Sequence, residues 1–250
     1  MKTVWAVCQR EVFSFFVSPI AYVVLTVWLF FQGLSLYIFS THFATNQYGM
    51  GGASQTPLTM FFGASSLFYM VLLVVVPLLT MRLVAHERAT GTLEALLTAP
   101  VKVRDVVLGK YFAALIFWVA LWLPSLLYVW ILSNFGEIDW GVVGASYLGV
   151  FSFGSYYMAL GLLMSALSRT QIVAATLTFF VIATLFLLGV AAFVLEGTAS
   201  DIFGYVSVWS HMEDFSKGII DSRYLIFDFT VAILGVVLTI LTLSARRRQV

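Results

Sequence analysis

The chain has 250 residues, of which 61% are hydrophobic and only 10% are charged, and its net charge is +1. Because a soluble domain carries about 25% charged residues, this composition excludes a water-soluble fold and predicts a membrane protein. The aromatic content of 16% excludes disorder, the small net charge offers no nucleic-acid-binding face, and the single cysteine, Cys8, excludes an internal disulfide framework.

Residues 1–17 predict an amphipathic helix ahead of the first apolar stretch. Trp5, Cys8, Val12 and Phe15 recur near helical spacing, and polar residues lie between them. Such a helix is typical of the boundary between lipid headgroups and acyl chains, so we expect it at the inner membrane interface. The alternative is that these residues extend the first membrane-spanning helix.

Six apolar stretches are long enough to cross a bilayer, which requires about 20 residues of α-helix. Pro124 predicts a bend in the third stretch, and Pro77 predicts a kink near the end of the second, because proline removes a backbone hydrogen bond. The fold class is therefore an all-α membrane protein with one transmembrane domain. The predicted spans are approximately residues 19–40, 58–81, 106–133, 141–167, 171–195 and 224–244.

The distribution of positive charge predicts the orientation of these spans, since Lys and Arg accumulate on the cytoplasmic side of a membrane. If the amino terminus is cytoplasmic, every Lys and Arg except Lys217 and Arg223 falls on the inner side. We therefore predict a multi-pass membrane protein with both termini in the cytoplasm.

Several kinds of chemistry are missing from the sequence. Ion-coupled carriers usually have ionisable residues near the middle of the membrane. The predicted spans have none there, because Asp228 and His42 lie near the outer ends of their spans. His86 begins a zinc-protease-like H-E-x-x-H run, but Thr90 occupies the position of the second ligand. No nucleotide-binding loop is present either. We predict a non-catalytic chain that holds no metal and no cofactor of its own.

The inner loop between the second and third spans carries the most informative pattern. Gly91 permits a sharp turn, and Gly91 or Thr92 can cap a new short helix with Glu94 in its first turn. Pro100 ends that helix, which therefore covers approximately residues 91–99.

Three leucines of this short helix lie on one face, at positions i, i+3 and i+4: Leu93, Leu96 and Leu97. A helix of about two turns is too short to be stable alone. Its apolar face is therefore expected to dock into a protein groove or onto the membrane surface.

The run from Arg82 to Pro100 resembles the signature of ABC type-2 (exporter-type) permeases. In that family the corresponding segment is the cytoplasmic coupling helix, which inserts into a cleft of the ATPase subunit. His86 departs from the pattern, since many relatives have a second acid there. The resemblance implies an ATPase-coupling role for Glu87, Arg88, Gly91, Thr92, Leu93, Glu94, Leu96, Leu97 and Pro100.

The resemblance also implies a location in the bacterial cytoplasmic (inner) membrane, the partners and the activity. Separate cytoplasmic ATPase subunits would bind ATP and Mg, and their hydrolysis of ATP would drive export of an unidentified substrate. The chain would pair with a second copy or a related permease chain. Two alternatives stay open: a mechanotransmitting subunit that drives an extracytoplasmic partner without moving a solute, and an ion-coupled carrier or channel.

The outer loop before the last span predicts another short amphipathic helix, with Met212, Phe215 and Ile219 on its apolar face. We expect it to dip into the outer membrane surface, with its polar groups forming a solvated cap and surface charges. His211 and Glu213 are the two candidate metal ligands in this loop, and their spacing is not that of a known type of metal site, so no metal site is predicted. The pattern resembles the gliding-motility-type (GldF-like) branch of these permeases through His211, Glu213, Phe215, Gly218, Asp221 and Arg223.

Polar side chains inside the spans are candidates for a conduit or a helix interface. Packing and hydrogen bonds to the residue's own helix are the other interpretation. The candidates are Gln32, Ser35, Tyr156, Tyr157 and Thr176.

Overall fold

The computed structural model describes residues 2–44, 59–64, 66–92, 101–134 and 138–247, and the regular structure within them is entirely helical. A π-helix, Met60–Ala64, precedes α3. The α-helices are α1 (Lys2–Val17), α2 (Pro19–Ala44), α3 (Ser66–Thr80), α4 (Ala85–Ala89), α5 (Val103–Trp122), α6 (Ser125–Ser133), α7 (Trp140–Leu167), α8 (Gln171–Val194), α9 (Thr198–Val206), α10 (Val208–Ser216) and α11 (Ser222–Arg247).

Five helical stretches in the described part of the chain are long and apolar enough to cross a membrane: Pro19–Thr41, Val103–Ser133, Trp140–Leu167, Gln171–Ala192 and Ser222–Arg247. They correspond to five of the six predicted spans. The remaining one, predicted at 58–81, consists of the π-helix and α3, which has 15 residues. At about 1.5 Å per residue, α3 alone is shorter than a bilayer core of about 30 Å, so the count of six stays a prediction.

Proline accounts for the break in the third span. Helix α5 ends at Trp122 and α6 begins at Ser125, with Pro124 between them, which confirms the predicted bend. Pro77 lies inside α3, which ends at Thr80.

Helix α7 is the most buried of the candidate spans and forms the centre of the bundle. Lipid tails are as apolar as leucine, so helices in a membrane associate through close packing rather than through the hydrophobic effect. Small residues supply that packing along α7. Gly149 lies against Phe215 of α10, Gly154 against Trp118 of α5, Gly161 against Thr80 of α3, and Ala159 against Gly235 of α11.

The two ends of the bundle are named here by the elements that lie at each of them. The α1 end holds α1, α4 and Leu167, the last residue of α7, whereas the distal end holds α9, α10 and Trp140, the first residue of α7.

Helix α1 packs along the first part of α5. Val7 of α1 lies against Gly109, and the rings of Phe15 and Phe16 lie 5.1 and 5.4 Å from the ring of Phe117. Val17 ends α1 and Pro19 begins α2, so the chain forms two helices here. The interfacial position of α1 stays a prediction.

Candidate functional site

The short helix α4 is held at its amino terminus by a side chain from α7. A helix begins with backbone N–H groups that lack partners within the helix, and Val84 has no side-chain acceptor for them. Ser165 Oγ instead accepts from the backbone N–H of Val84 at 3.1 Å and of Ala85 at 3.0 Å, and donates to the Met81 carbonyl at 3.2 Å. Ser165 thus fixes the start of α4 to the centre of the bundle.

A four-residue charge cluster joins α4 to α1 and α5. It consists of Arg10, Glu11, Glu87 and Lys110. Lys110 Nζ lies 2.9 Å from Glu87 Oε1 and 3.0 Å from Glu11 Oε1, and its side chain is 2% exposed. Arg10 Nη2 lies 3.0 Å and 2.8 Å from the same two oxygens but is 56% exposed. Lys110 is therefore the buried centre of the charge cluster.

The electrostatics of the charge cluster favour the ionised form of Glu11. Burial opposes ionisation of Glu11, but Lys110 and Arg10 together outweigh burial and lower the pKa of that carboxyl below its ordinary value. The hydrogen bond to Glu11 raises the pKa of Arg10 above its ordinary value. The two cations balance the two carboxylates, which is the condition under which buried charges are tolerated.

A cavity of about 240 Å³ lies beside the charge cluster. Arg82 and His86 line it together with members of the cluster, and Arg82 also donates a hydrogen bond to Ser18 Oγ, between α1 and α2. Within the described part of the chain, Glu87 Oε2 is buried without a hydrogen-bond partner.

The opposite side of α4 is bound to the turn between α7 and α8. Arg88 Nη1 donates to the Ser168 carbonyl at 2.9 Å, and Gln171 Nε2 lies 2.6 Å from His86 Nδ1. Because the amide nitrogen is a donor, His86 accepts at Nδ1. Burial, followed by the neighbouring Arg246 and Arg169, lowers the pKa of Arg88. Helix α4 is therefore bonded on both sides.

The predicted turn at Gly91 is present. Gly91 has a φ of +73°, and its N–H donates to the Arg88 carbonyl at 3.2 Å, directly after α4. The hydroxyls of Thr90 and Thr92 lie 2.9 Å apart, and Thr92 Oγ1 donates to the Glu87 carbonyl at 3.2 Å. The rest of the predicted coupling helix lies outside the described residues: Leu93, Glu94, Leu96, Leu97 and Pro100.

At the distal end, the prediction of a solvated cap at His211 is wrong. The His211 side chain is only 1% exposed and faces the interior, because α10 packs against α7 and Asp228 of α11 lies beside the imidazole. Met212 and Phe215 contact Gly149 of α7, so the apolar face of α10 is covered by protein. Ile219 lies beyond the end of α10 and is exposed.

The other residues of the predicted outer segment lie near the surface. Glu213 forms a half-exposed ion pair with Lys217 at 2.7 Å, which confirms the expected surface charge at this position. Gly218 has a φ of +82° and follows α10 as its turn residue. Asp221 Oδ1 accepts from the backbone N–H of Arg223 at 2.8 Å, at the start of α11, and Arg223 is exposed.

The polar candidates inside the spans divide into buried and exposed residues. Gln32, Ser35, Tyr156 and Tyr157 are buried, and the rings of the two tyrosines lie 4.9 Å apart. Thr176 is exposed and donates to the carbonyl of Ile172 in its own helix at 2.9 Å, which agrees with the packing interpretation.

Sequence reasoning missed Lys110, Glu11 and Ser165 as parts of this site. In the sequence, Lys110 is visible only as a positive charge near the inner end of a span, and Ser165 only as a small polar residue within a span. Their partners in α4 are distant in the sequence, at a separation of 80 residues for Ser165 and Ala85.

The helical bundle, its candidate spans and the docked loop around α4 define a multi-pass membrane protein. The family model described as "ABC-2 family transporter protein" matches residues 37–243, so the chain belongs to the ABC-2 transporter family. This family contains the membrane permease component of ABC transporters, whose partner is a cytoplasmic ATPase. No curated protein matches the chain.

Proposed function

We propose that this chain is the permease subunit that couples ATP hydrolysis by separate cytoplasmic ATPase subunits to export of a substrate. In this proposal the second span comprises the π-helix and α3, which completes six spans and leaves both termini in the cytoplasm. The permease works as a dimer with a second copy or a related chain. The α1 end of the bundle then faces the ATPase, and ATP and Mg are bound there by the partner alone.

The observation that carries this proposal is the anchoring of α4. It immediately precedes residues 91–99, the predicted coupling helix, and its side chains bond to α1 and α5 on one side and to the α7–α8 turn on the other. A displacement of the coupling helix therefore reaches several spans through bonded contacts rather than through a free loop. The charge cluster and Ser165 are the transmitting contacts in this mechanism.

The docking step is tested by a Leu96→Asp/Leu97→Asp variant. Charges on the apolar face should release the ATPase, so the ATPase should no longer co-purify with the permease from membranes. The matched control is Ile219→Asp/Ile220→Asp, which places the same charges on two adjacent exposed residues at the distal end. Retention of the ATPase by the Leu96/Leu97 variant would disprove the assignment, and its loss from both variants would show a general defect.

The coupling step is tested by a Glu87→Gln variant of the complete transporter. The ATPase should still co-purify, because Glu87 lies outside the docking face, but ATP-driven transport in reconstituted vesicles should fall. Normal transport by this variant would exclude Glu87 from the transmission of force.

The resemblance to the gliding-motility-type branch supports a second form of the same proposal. In that form the two short helices α9 and α10 transmit movement to an extracytoplasmic partner, without passage of a solute. Capture of a partner by the intact complex, and its loss from the Ile219→Asp/Ile220→Asp variant, would support this form. ATP-driven accumulation of a solute in vesicles that contain only the transporter would exclude it.

A further inference from the structure

A buried acid and a buried base meet near the distal end of the bundle. Asp228 of α11 and His211 of α10 each have 1% of the side chain exposed, and Asp228 Oδ1 lies 3.5 Å from His211 Nδ1. The other carboxylate oxygen, Oδ2, accepts from Ser152 Oγ of α7 at 2.7 Å. Within the described residues, neither His211 Nδ1 nor Asp228 Oδ1 has a conventional hydrogen-bond partner.

The contacts of the imidazole determine how many protons this pair holds. His211 Nε2 lies 2.9 Å from the backbone carbonyl of Tyr205, which can only accept, so Nε2 carries a proton. If no other proton were present, the lone pair of Nδ1 would face an ionised carboxylate. That arrangement leaves an uncompensated charge in a buried site, which is strongly unfavourable. One further proton between Nδ1 and Oδ1 removes the conflict, whichever atom holds it.

Groups from α7, α9 and α11 surround the pair, while the π-helix and α8, which also pack against α10, carry no ionisable side chain. Helix α11 supplies Tyr224, whose ring stacks on His211 at 4.1 Å and whose hydroxyl donates to Asp214 at 3.1 Å. Helix α7 supplies Ser152 and the hydroxyls of Tyr156 and Tyr157, and α9 supplies the Tyr205 carbonyl. The remaining charged groups nearby are Glu213 and Lys217, which pair with each other, and Arg223 and Asp221, which lie at the exposed start of α11.

A cavity lies next to the pair. A cavity of about 600 Å³ opens at the distal end of the bundle. Tyr205 and Tyr224, both of which contact His211, line this cavity together with Glu213. These two tyrosines therefore connect the buried pair to the wall of the cavity.

We propose that His211 and Asp228 form a proton-binding site, and that the single proton bound there locks α10 onto α7 and α11. The site is neutral when the proton is bound and carries one buried negative charge when it is lost. Loss of the proton as the pH rises on the distal side therefore releases α10. This role belongs to the chain itself and is independent of any ATPase partner.

Hydrogen–deuterium exchange of the full chain in lipid nanodiscs tests the lock. After correction for the intrinsic pH dependence of exchange, amides of α10 in the wild type should lose protection by about tenfold as the pH is raised, the scale of losing one charge-assisted buried hydrogen bond. Asp228→Asn should abolish this response, because a carboxamide can donate to His211 Nδ1 and accept from Ser152 without a titrating proton. Glu196→Gln, which removes an exposed carboxylate between α8 and α9, should keep the wild-type response.

The location of the proton is tested on the wild type alone, so the test does not depend on the folding of a variant. Nitrogen-15 NMR of histidine-labelled protein reports an imidazolium at His211, and infrared spectroscopy reports a protonated carboxyl at Asp228. One of these two signals must be present where α10 is protected. Absence of both signals, or an identical pH response in the wild type and Asp228→Asn, would overturn the proposal.

Discussion

Lys110 is the residue on which the charge cluster depends most, and its replacement by Met gives a sharp test. Met has about the same length as the Lys stem, so the substitution removes the charge with little change in volume. It leaves Glu11 and Glu87 side by side with only Arg10 as a cationic partner.

The size of the effect follows from the geometry. At 2.9 and 3.0 Å, each attraction between Lys110 and a carboxylate is worth about 5–6 kcal/mol at an effective dielectric constant of about 20. Desolvation cancels a large part of this, and removal of one partner of a buried pair costs about 3–5 kcal/mol. Arg10 is 56% exposed, so its pairs contribute only about 0–1 kcal/mol each. We expect Lys110→Met to lower the free energy of unfolding by about 3 kcal/mol.

Thermal unfolding in nanodiscs, followed by tryptophan fluorescence, measures this loss. For a chain of this length, about 3 kcal/mol corresponds to a fall in Tm of about 6–12 °C. Lys102→Met, at an exposed position one residue before α5, should change Tm by less than about 2 °C. The triple variant Lys110→Met/Glu11→Gln/Glu87→Gln should recover most of the loss, because it leaves no unpaired charge. An unchanged Tm for Lys110→Met alone would refute this account of the charge cluster.

Three further predictions use the same measurements. Gly154→Ala should lower the free energy of unfolding by about 1–3 kcal/mol, because the new methyl group would overlap the Trp118 ring. Gly144→Ala should be neutral or stabilising, because nothing lies within 4 Å of the new methyl group. Equal Tm values for the two variants would contradict this packing. Ser165→Ala should lower the free energy of unfolding by about 1–3 kcal/mol and increase hydrogen exchange of α4, because the buried N–H groups of Val84 and Ala85 lose their acceptor. Unchanged exchange would show that Ser165 does not cap α4. Folding lowers the pKa of Glu11, so its contribution to stability is complete above the ordinary glutamate pKa and is lost as the pH falls through the lowered pKa. Acid should therefore release α1. Glu11→Gln should weaken this acid dependence of stability, and an unaltered pH profile would assign the dependence to another group.

Local signals in the sequence predicted the elements of this protein well. Pro124 marks the break between α5 and α6, and Gly91 marks the turn that follows α4. These features depend on the backbone chemistry of single residues, which can be read without knowledge of the fold. Apolar length similarly located five of the spans.

Contacts between distant residues were not predictable in the same way. The sequence gives no indication that Lys110 reaches Glu11, 99 residues earlier, because that pairing depends on α1 packing along α5. His211 looked like a surface residue because acidic and basic neighbours follow it, yet the apolar face of α10 turns it inward toward Asp228. The coupling helix was predicted from a family signature, and that part of the prediction still awaits the experiment on Leu96 and Leu97.

The anchoring of α4 has a consequence for biogenesis. Its partners are contributed by residues as early as Arg10 and as late as Gln171, so α4 cannot acquire its bonded position until the fifth predicted span has begun to emerge. Spans insert individually before they pack together, and contacts of such large sequence separation form late. A partly synthesised or truncated chain would therefore carry an unanchored α4. Only a completed bundle would hold α4 rigidly, so the bonded position of α4 is conditional on correct insertion.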